Sequence, residues 1–353
     1  MRSTLGESRS SVGRLDRHEI DAVAPRHRRH GGETVPEWPW AAEGGMPGIH
    51  RVIVSILVVA ILTVALPVWS PLPSQAAGNL RAGPAGPEGG PQREQLWLVP
   101  SPLKGVLMHS TLYRPPGDGP FPLAVINHGS DEDRSRRARV ALPSFPALTA
   151  WLVARGYAVL LPQRPGHGIT GGRYLEGQGA CGNPDFRRAG FAAANSIESA
   201  IDFMRAQNFV EPGGIVVIGN SAGGWAALAL ASRNPAGVAA VVDFSGGRGG
   251  RDRNKAYNNC APDELVAAAA AYGRAARIPT LWLYAENDTY FAPELSRRMA
   301  DAFSTAGGDA EYHLLPAVRG DGHALISTAG REATWKPLLE AFLDRVVRKK
   351  RQN

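Results

Sequence analysis

The stretch Ile215-Val216-Val217-Ile218-Gly219-Asn220-Ser221-Ala222-Gly223-Gly224-Trp225-Ala226-Ala227-Leu228 decides how the rest of the chain is read. Its apolar, β-branched start predicts a buried strand, and an alanine-rich stretch of good helix formers follows at once. Between them Ser221 stands in the pattern Gly-x-Ser-x-Gly. Strand, abrupt turn and helix in that order require minimal side chains at Gly219 and Gly223, where the two elements approach each other. Such a turn holds the Ser221 hydroxyl above the sheet edge at a helix N-terminus, whose free N–H groups favour developing negative charge. The same residues also admit a plainer reading, a glycine-rich turn with Ser221 as a helix N-cap. What separates the two is whether the partners of a serine nucleophile follow downstream.

A serine hydroxyl attacks only when a base removes its proton and a third group orients that base. After the apolar run Thr280–Tyr284 comes Ala285-Glu286-Asn287-Asp288-Thr289, and after Glu311–Leu315 comes Arg319-Gly320-Asp321-Gly322-His323-Ala324. Asp288 is the preferred acid because it lies furthest into its turn. Its rivals are Glu286, two residues earlier, and Asp243, at the end of the run Val238–Val242. His323 is the preferred base: His313 falls inside a strand, and His128 and His167 precede Ser221 in the chain. The order Ser221, Asp288, His323 is that of a hydrolase triad. A tetrahedral intermediate also needs donors for its oxyanion. The elbow supplies Ala222 N–H, and Ile126-Asn127-His128-Gly129-Ser130 supplies Ser130 N–H at another strand exit.

Outside these motifs, an antiparallel opening at 96–99, 106–113 and 123–126 gives way to alternation. Helix-forming segments near 144–155, 189–207, 263–274, 292–306 and 335–347 separate short apolar runs. Alternation of this kind predicts an α/β fold, a mostly parallel central sheet of about eight strands with helices on both faces. Ligands of such sheets lie beyond the carboxyl ends of the strands, where every candidate residue stands.

Taken together, Asn127-His128-Gly129-Ser130, Arg164-Pro165-Gly166-His167-Gly168, Gly219-Asn220-Ser221-Ala222-Gly223-Gly224, Glu286-Asn287-Asp288 and Gly322-His323 resemble the α/β-hydrolase superfamily. The resemblance is to its dienelactone hydrolase-like and prolyl-oligopeptidase-like branch and covers roughly residues 95–347. It implies an α/β-hydrolase fold and a serine hydrolase that needs no metal or organic cofactor. One departure bears on substrate. Dienelactone hydrolases carry a cysteine nucleophile, whereas this elbow carries Ser221, which favours a serine esterase of small-molecule carboxylic esters. Peptidase or acyl-transfer chemistry on the same triad, or a silent binding protein on the same fold, are the alternatives.

The remaining features concern location and loops. Residues 1–45 are rich in Arg, His, Gly and Glu without an apolar period and are not expected to pack. From Met46, a short basic start, the apolar run Val52–Val68 and a small-residue site ending at Ala76 make a secretory signal over 46–76. An uncleaved membrane anchor is the other reading, and the twin arginines Arg28-Arg29 lie too far from the run to serve as an export signal. A start at Met46 would leave the upstream extension untranslated. Residues 77–94 read as a linker, 95–348 as the catalytic domain and 349–353 as a basic tail. In 353 residues the formal charge is +7, but the basic residues are scattered and no nucleic-acid motif accompanies them, so no nucleic-acid partner is expected. Glycine clusters without a Gly-Lys-Ser/Thr or a strand-adjacent G-x-G-x-x-G do not predict nucleotide binding. The two cysteines, Cys181 and Cys260, lie in glycine-rich loops, 165–187 and 246–262. Export to an oxidising compartment predicts a Cys181–Cys260 disulfide that clips those loops together above Ser221.

Overall fold

The apolar runs align in one nine-stranded sheet in the computed structural model, which describes residues 81–327 and 330–352. Its strands are β1 (Gly83–Pro84), β2 (Gln95–Pro100), β3 (Leu107–Tyr113), β4 (Leu123–Asn127), β5 (Ala158–Pro162), β6 (Ile215–Asn220), β7 (Val238–Phe244), β8 (Thr280–Ala285) and β9 (Ala310–Leu315). The order across the sheet is β1-β2-β3-β5-β4-β6-β7-β8-β9, antiparallel from β1 to β5 and parallel from β5 onward. The helices are α1 (Arg134–Ala138), α2 (Pro146–Ala154), α3 (Phe186–Arg205), α4 (Ala222–Ala231), α5 (Pro262–Ala275), α6 (Pro293–Thr305) and α7 (Glu332–Gln352).

Both sheet faces are covered, so the central strands are apolar on both sides and every residue of β7 is buried. On one face Phe186, Trp225, Tyr272 and Trp282 pack between sheet and helices; on the other, Leu152, Trp335 and Phe342 do so. Each such side chain contributes about 1.5–3 kcal/mol on burial. Helix α4, buried along its whole length, is built almost entirely of Ala, Gly and Leu. β9, at the sheet edge, is half-buried for most of its length and alternates polar with apolar residues.

The mostly parallel sheet that the alternation predicts is present in the α/β-hydrolase architecture that the resemblance implies, with one strand more than the eight anticipated. The extra pairing corrects the linker reading, because Gly83–Pro84 pairs antiparallel with Trp97 and Leu98. Residues 81–94 are held further by Gln95 Nε2 donating to Gly86 O (2.9 Å) and by ion pairs of Glu88 with Arg93 and Arg114. A sequence rich in Gly, Pro and Gln shows no apolar period there because those contacts are polar. The helix expected from 189 starts at Phe186, where the Asp185 carboxylate accepts from Arg188 N (2.8 Å) and caps it. The basic tail continues α7 as far as Gln352. The 1–45 extension, the signal over 46–76 and residues 77–80 of the linker lie outside the described residues. Among the described residues, no helix is long and apolar enough to cross a membrane.

Candidate active site

The strand ends at the centre of the sheet create the site. Register places Asn127 beside Gly219 and Gly219 beside Asp243, so β4, β6 and β7 finish together. Ser221, just beyond β6, has φ 55° and ψ −122°, a left-sided conformation that costs a residue with a Cβ about 1–3 kcal/mol. It is held there by its backbone. Its N–H donates to Phe244 O (3.0 Å), and its carbonyl accepts from Trp225 N (3.0 Å) and Gly247 N (3.2 Å). The close approach is real: a Cβ on Gly219 would lie 2.2 Å from Gly223 O, and one on Gly223 would lie 2.3 Å from Asn127 O. The N-cap reading of Ser221 is corrected here, because its side chain makes no capping hydrogen bond to α4. The hydroxyl is left for the cavity that Ser221 lines.

The acid and the imidazole come from the loops after β8 and β9. Asp288 is fully buried. Its Oδ1 accepts from Tyr290 N (2.8 Å) and Phe291 N (3.0 Å). His323 Nδ1 lies 3.2 Å from both carboxylate oxygens of Asp288. A carboxylate only accepts, so Nδ1 carries the proton and Nε2 keeps a lone pair. Tyr290 stacks on the imidazole at 4.0 Å with the rings 20° apart. Asp321 fixes the loop: its Oδ1 accepts from His323 N (3.0 Å) and Thr289 N (3.0 Å), its Oδ2 accepts from Thr289 Oγ1, and Arg251 Nη1 stands 3.6 Å away. Asn287 ties the same loop down by donating to Val318 O (2.8 Å) and Gly320 O (2.6 Å).

The rival residues have other places. Glu286 accepts from Ala317 N (3.2 Å) and shapes the loop after β9. Asp243 is buried beside the elbow, where Tyr284 Oη donates to it (2.9 Å) and burial pushes its carboxyl up to about 8. His313 pairs with Glu311 on the edge strand (2.8 Å). His128 and His167 are buried beyond the ends of β4 and β5, across β6 from β8 and β9.

A cavity of about 570 Å³ opens over these strand ends, lined among others by Gly129, Ser130, Ser221, Ala222, Arg248 and His323. The structure thus brings Ser221, Ala222, Ser130 and His323 to one cavity, with Asp288 directly behind the imidazole. Gly129 presses against the elbow so closely that a Cβ on it would come 3.2 Å from Ser221 Cβ. Cys181 and Cys260 are joined, with Cα atoms 5.3 Å apart, and both line the cavity. Behind the Ser130 wall lies a buried ionic cluster absent from the expectations. Glu176 accepts from Arg164 Nε (2.5 Å) and from Arg248 Nη2 (2.6 Å), all three side chains being almost fully buried. Burial by itself would raise the Glu176 carboxyl, but the flanking guanidinium groups outweigh it and hold the group below the usual carboxylate range. Its traces in the sequence are Arg164, quoted with the family resemblance, and Glu176 and Arg248, two charges in glycine-rich loops. Among the described residues, no group of three or more His, Cys, Asp or Glu side chains is placed to hold a metal ion.

A family model of the dienelactone hydrolase family matches residues 142–340, more than half of the chain. The chain belongs to the dienelactone hydrolase family. No curated protein matches the sequence. Among solved structures, this hydrolase is similar to Porphyromonas gingivalis dipeptidyl peptidase 4 (13% identity, TM-score 0.54, covering 73% of this chain and 36% of that one). It is also similar to an esterase of Pyrococcus furiosus (16% identity, TM-score 0.52, covering 76% and 100%). A third is Pyrococcus horikoshii acylaminoacyl peptidase (14% identity, TM-score 0.50, covering 71% and 41%). At these identities the likeness is one of fold, and the chain spans about two fifths of the length of the peptidases. The hydrolase therefore shares its fold with the whole of one esterase and with about two fifths of longer peptidases.

Proposed function

We propose that this hydrolase is an exported serine esterase that cleaves small carboxylic esters through an acyl-enzyme. The observation that carries the reading is the His323 Nδ1 contact with both oxygens of buried Asp288, on a cavity that Ser221 also lines. Ser221 Oγ attacks the ester carbonyl while His323 Nε2 takes its proton, and Asp288 holds the tautomer and stabilises the imidazolium. The negative charge on the former carbonyl oxygen is met by Ala222 N–H, one of the unpaired donors at the start of α4, and by Ser130 N–H. Collapse expels the alcohol, which leaves with the proton from His323. Water then attacks the acyl-Ser221 ester, again with His323 as base, and releases the acid. The Ser221–His323 hydrogen bond belongs to the substrate complex, since such contacts tighten when substrate is seated.

Export rests on the signal read over 46–76 and on the Cys181–Cys260 pairing, which an oxidising compartment sustains. Intact mass of the secreted protein, beginning at Ala77, checks it.

The test of the chemistry combines a fluorophosphonate probe, short-chain nitrophenyl esters and a short amidated peptide, each with wild type and Ser221→Ala. Probe labelling and ester turnover that vanish in Ser221→Ala, with the peptide uncut, are the expected results. Cleavage of the peptide in preference to the esters moves the assignment to peptidase. Wild type that neither labels nor turns over removes catalysis and leaves a binding protein.

A further inference from the structure

The wall opposite His323 contains a chain of hydrogen bonds whose direction is forced by the chemistry of its members. A guanidinium only donates, so Arg248 Nη1 gives its proton to Tyr174 Oη (2.9 Å). Tyr174 Oη then has its own proton left for Ser130 Oγ, 3.1 Å away. Ser130 Oγ lies 2.9 Å from His167 Nε2, while His167 Nδ1 faces only carbonyls, Arg164 O at 3.1 Å and Pro165 O at 3.2 Å. Nδ1 is therefore the protonated nitrogen, and Nε2 accepts from Ser130. Burial pushes the His167 imidazole down to about 4, which keeps it in this neutral form. The chain is anchored at its far end by Glu176, which holds Arg248 and Arg164 together.

Two further contacts grip the same segment. His128 Nε2 accepts from Arg164 N (3.0 Å), which leaves Nδ1 to donate to Gly129 O (2.6 Å). Gly129 O and Ser130 N–H belong to one planar trans peptide and point in opposite directions, so fixing the carbonyl fixes the N–H. Arg137 stacks on the Tyr174 ring at 3.7 Å and donates to Asp131 O (2.7 Å) and Glu132 O (3.2 Å), the carbonyls just past Ser130. The Gly129–Ser130 peptide is thus held from before, from after and through its own side chain, whereas the loop itself contributes only small and polar residues.

We infer that Tyr174 and His167 are positioning residues that clamp Ser130 so that its backbone N–H is preset as the second oxyanion donor. This rests on the esterase reading above and deepens it. The clamp does not touch substrate. It acts by removing the freedom of a peptide unit whose donor is useful only within a narrow range of positions, where a shift of 1 Å costs up to about 10²-fold in rate.

The experiment measures kcat and KM on a short-chain nitrophenyl ester for the full chain and for Tyr174→Phe, Ser130→Ala and their double variant. Tyr174→Phe removes one hydroxyl and keeps the ring on which Arg137 stacks, so the fold is retained; thermal unfolding verifies this. The expected result is a kcat about 10- to 100-fold lower in each single variant with KM within about twofold. The double variant should be no slower than the slower single one, because both break the same chain. His167→Gln, whose Oε1 can accept from Ser130, should recover most of the activity that His167→Leu loses. Wild-type kcat in Tyr174→Phe, costs that multiply in the double variant, or a loss confined to KM would overturn the clamp. If turnover in wild type does not depend on Ser221, the esterase reading fails first; if it does and Tyr174→Phe matches wild type, only the clamp fails.

Discussion

His323 and His167 both stand at the cavity above Ser221, one lining it and one behind Ser130, and their surroundings differ in a way that suits them to the opposite duties proposed. His323 lines the cavity, and behind it stands the carboxylate of Asp288. His167 is only 1% exposed, sits one hydrogen bond behind the cavity wall through Ser130, and has backbone carbonyls where His323 has a carboxylate. A carboxylate stabilises an imidazolium and so permits proton transfer; a carbonyl in a buried, arginine-rich setting fixes a tautomer and discourages protonation. On the proposed reading the same side chain is a base on one wall and a strut on the other. The nearest acid decides which, more than the distance to the serine it serves.

The sharpest way to break this division is to remove each imidazole in turn. His323→Ala should lower kcat/KM on a nitrophenyl ester by about 10⁴-fold or more, whereas His167→Gln should stay within roughly tenfold of wild type. Equal losses would erase the distinction between base and strut. Next in size is the buried cluster behind the strut. Glu176→Gln leaves Arg164 and Arg248 facing each other without a counter-charge, and urea unfolding should show a loss of about 3–5 kcal/mol. A loss below about 1 kcal/mol would mean that water reaches these groups.

Acid should test the strut wall as well. The His167 imidazole is held down to about 4 by burial, and His128 is held well below its ordinary value by burial and by Arg164. As pH falls, the unfolded chain takes up these protons first. Stability is therefore full above about pH 6.5 and is lost progressively towards pH 4, on the order of 3 kcal/mol for His167 alone. Urea midpoints at pH 7 and pH 4 measure the loss, and His167→Gln should remove its share. The smallest effect is expected at Asp321, which fixes the His323 loop without touching the imidazole nitrogens. Asp321→Ala should lower kcat about tenfold with the unfolding midpoint nearly unchanged, and a loss as large as that of His323→Ala would promote it to a direct role.

The base wall was legible in the sequence and the strut wall was not, for a physical reason. Ser221, Asp288 and His323 stand at the ends of apolar strands whose period is plain, so their spacing along the chain maps onto one rim of the sheet. Glu176, Arg248 and Tyr174 lie in long glycine-rich excursions, where no period tells which side chain turns inward. Arg164-Pro165-Gly166-His167-Gly168 entered through resemblance to a family, and His167 also as a base set aside for preceding Ser221, with no supporting role attached. Helix α1 likewise left no apolar pattern: its one buried side chain is Arg137, whose guanidinium finds carbonyls and an aromatic face. Gly83–Pro84 escaped notice because an edge strand two residues long needs backbone pairing alone.

The Cys181–Cys260 bond joins positions 79 residues apart. It closes a covalent ring that contains β6, Ser221, α4 and β7, while Asp288 and His323 hang outside it on a linear tail. In the chain-entropy picture, closing a ring of this size removes unfolded-chain entropy worth about 4.5 kcal/mol, which favours the folded state by that amount. The part of the chain that carries the proposed nucleophile is therefore confined by topology even when unfolded, and the part that carries Asp288 and His323 is not. A single backbone cut inside the ring leaves the polypeptide in one piece, whereas a cut between Cys260 and His323 separates the imidazole from Ser221.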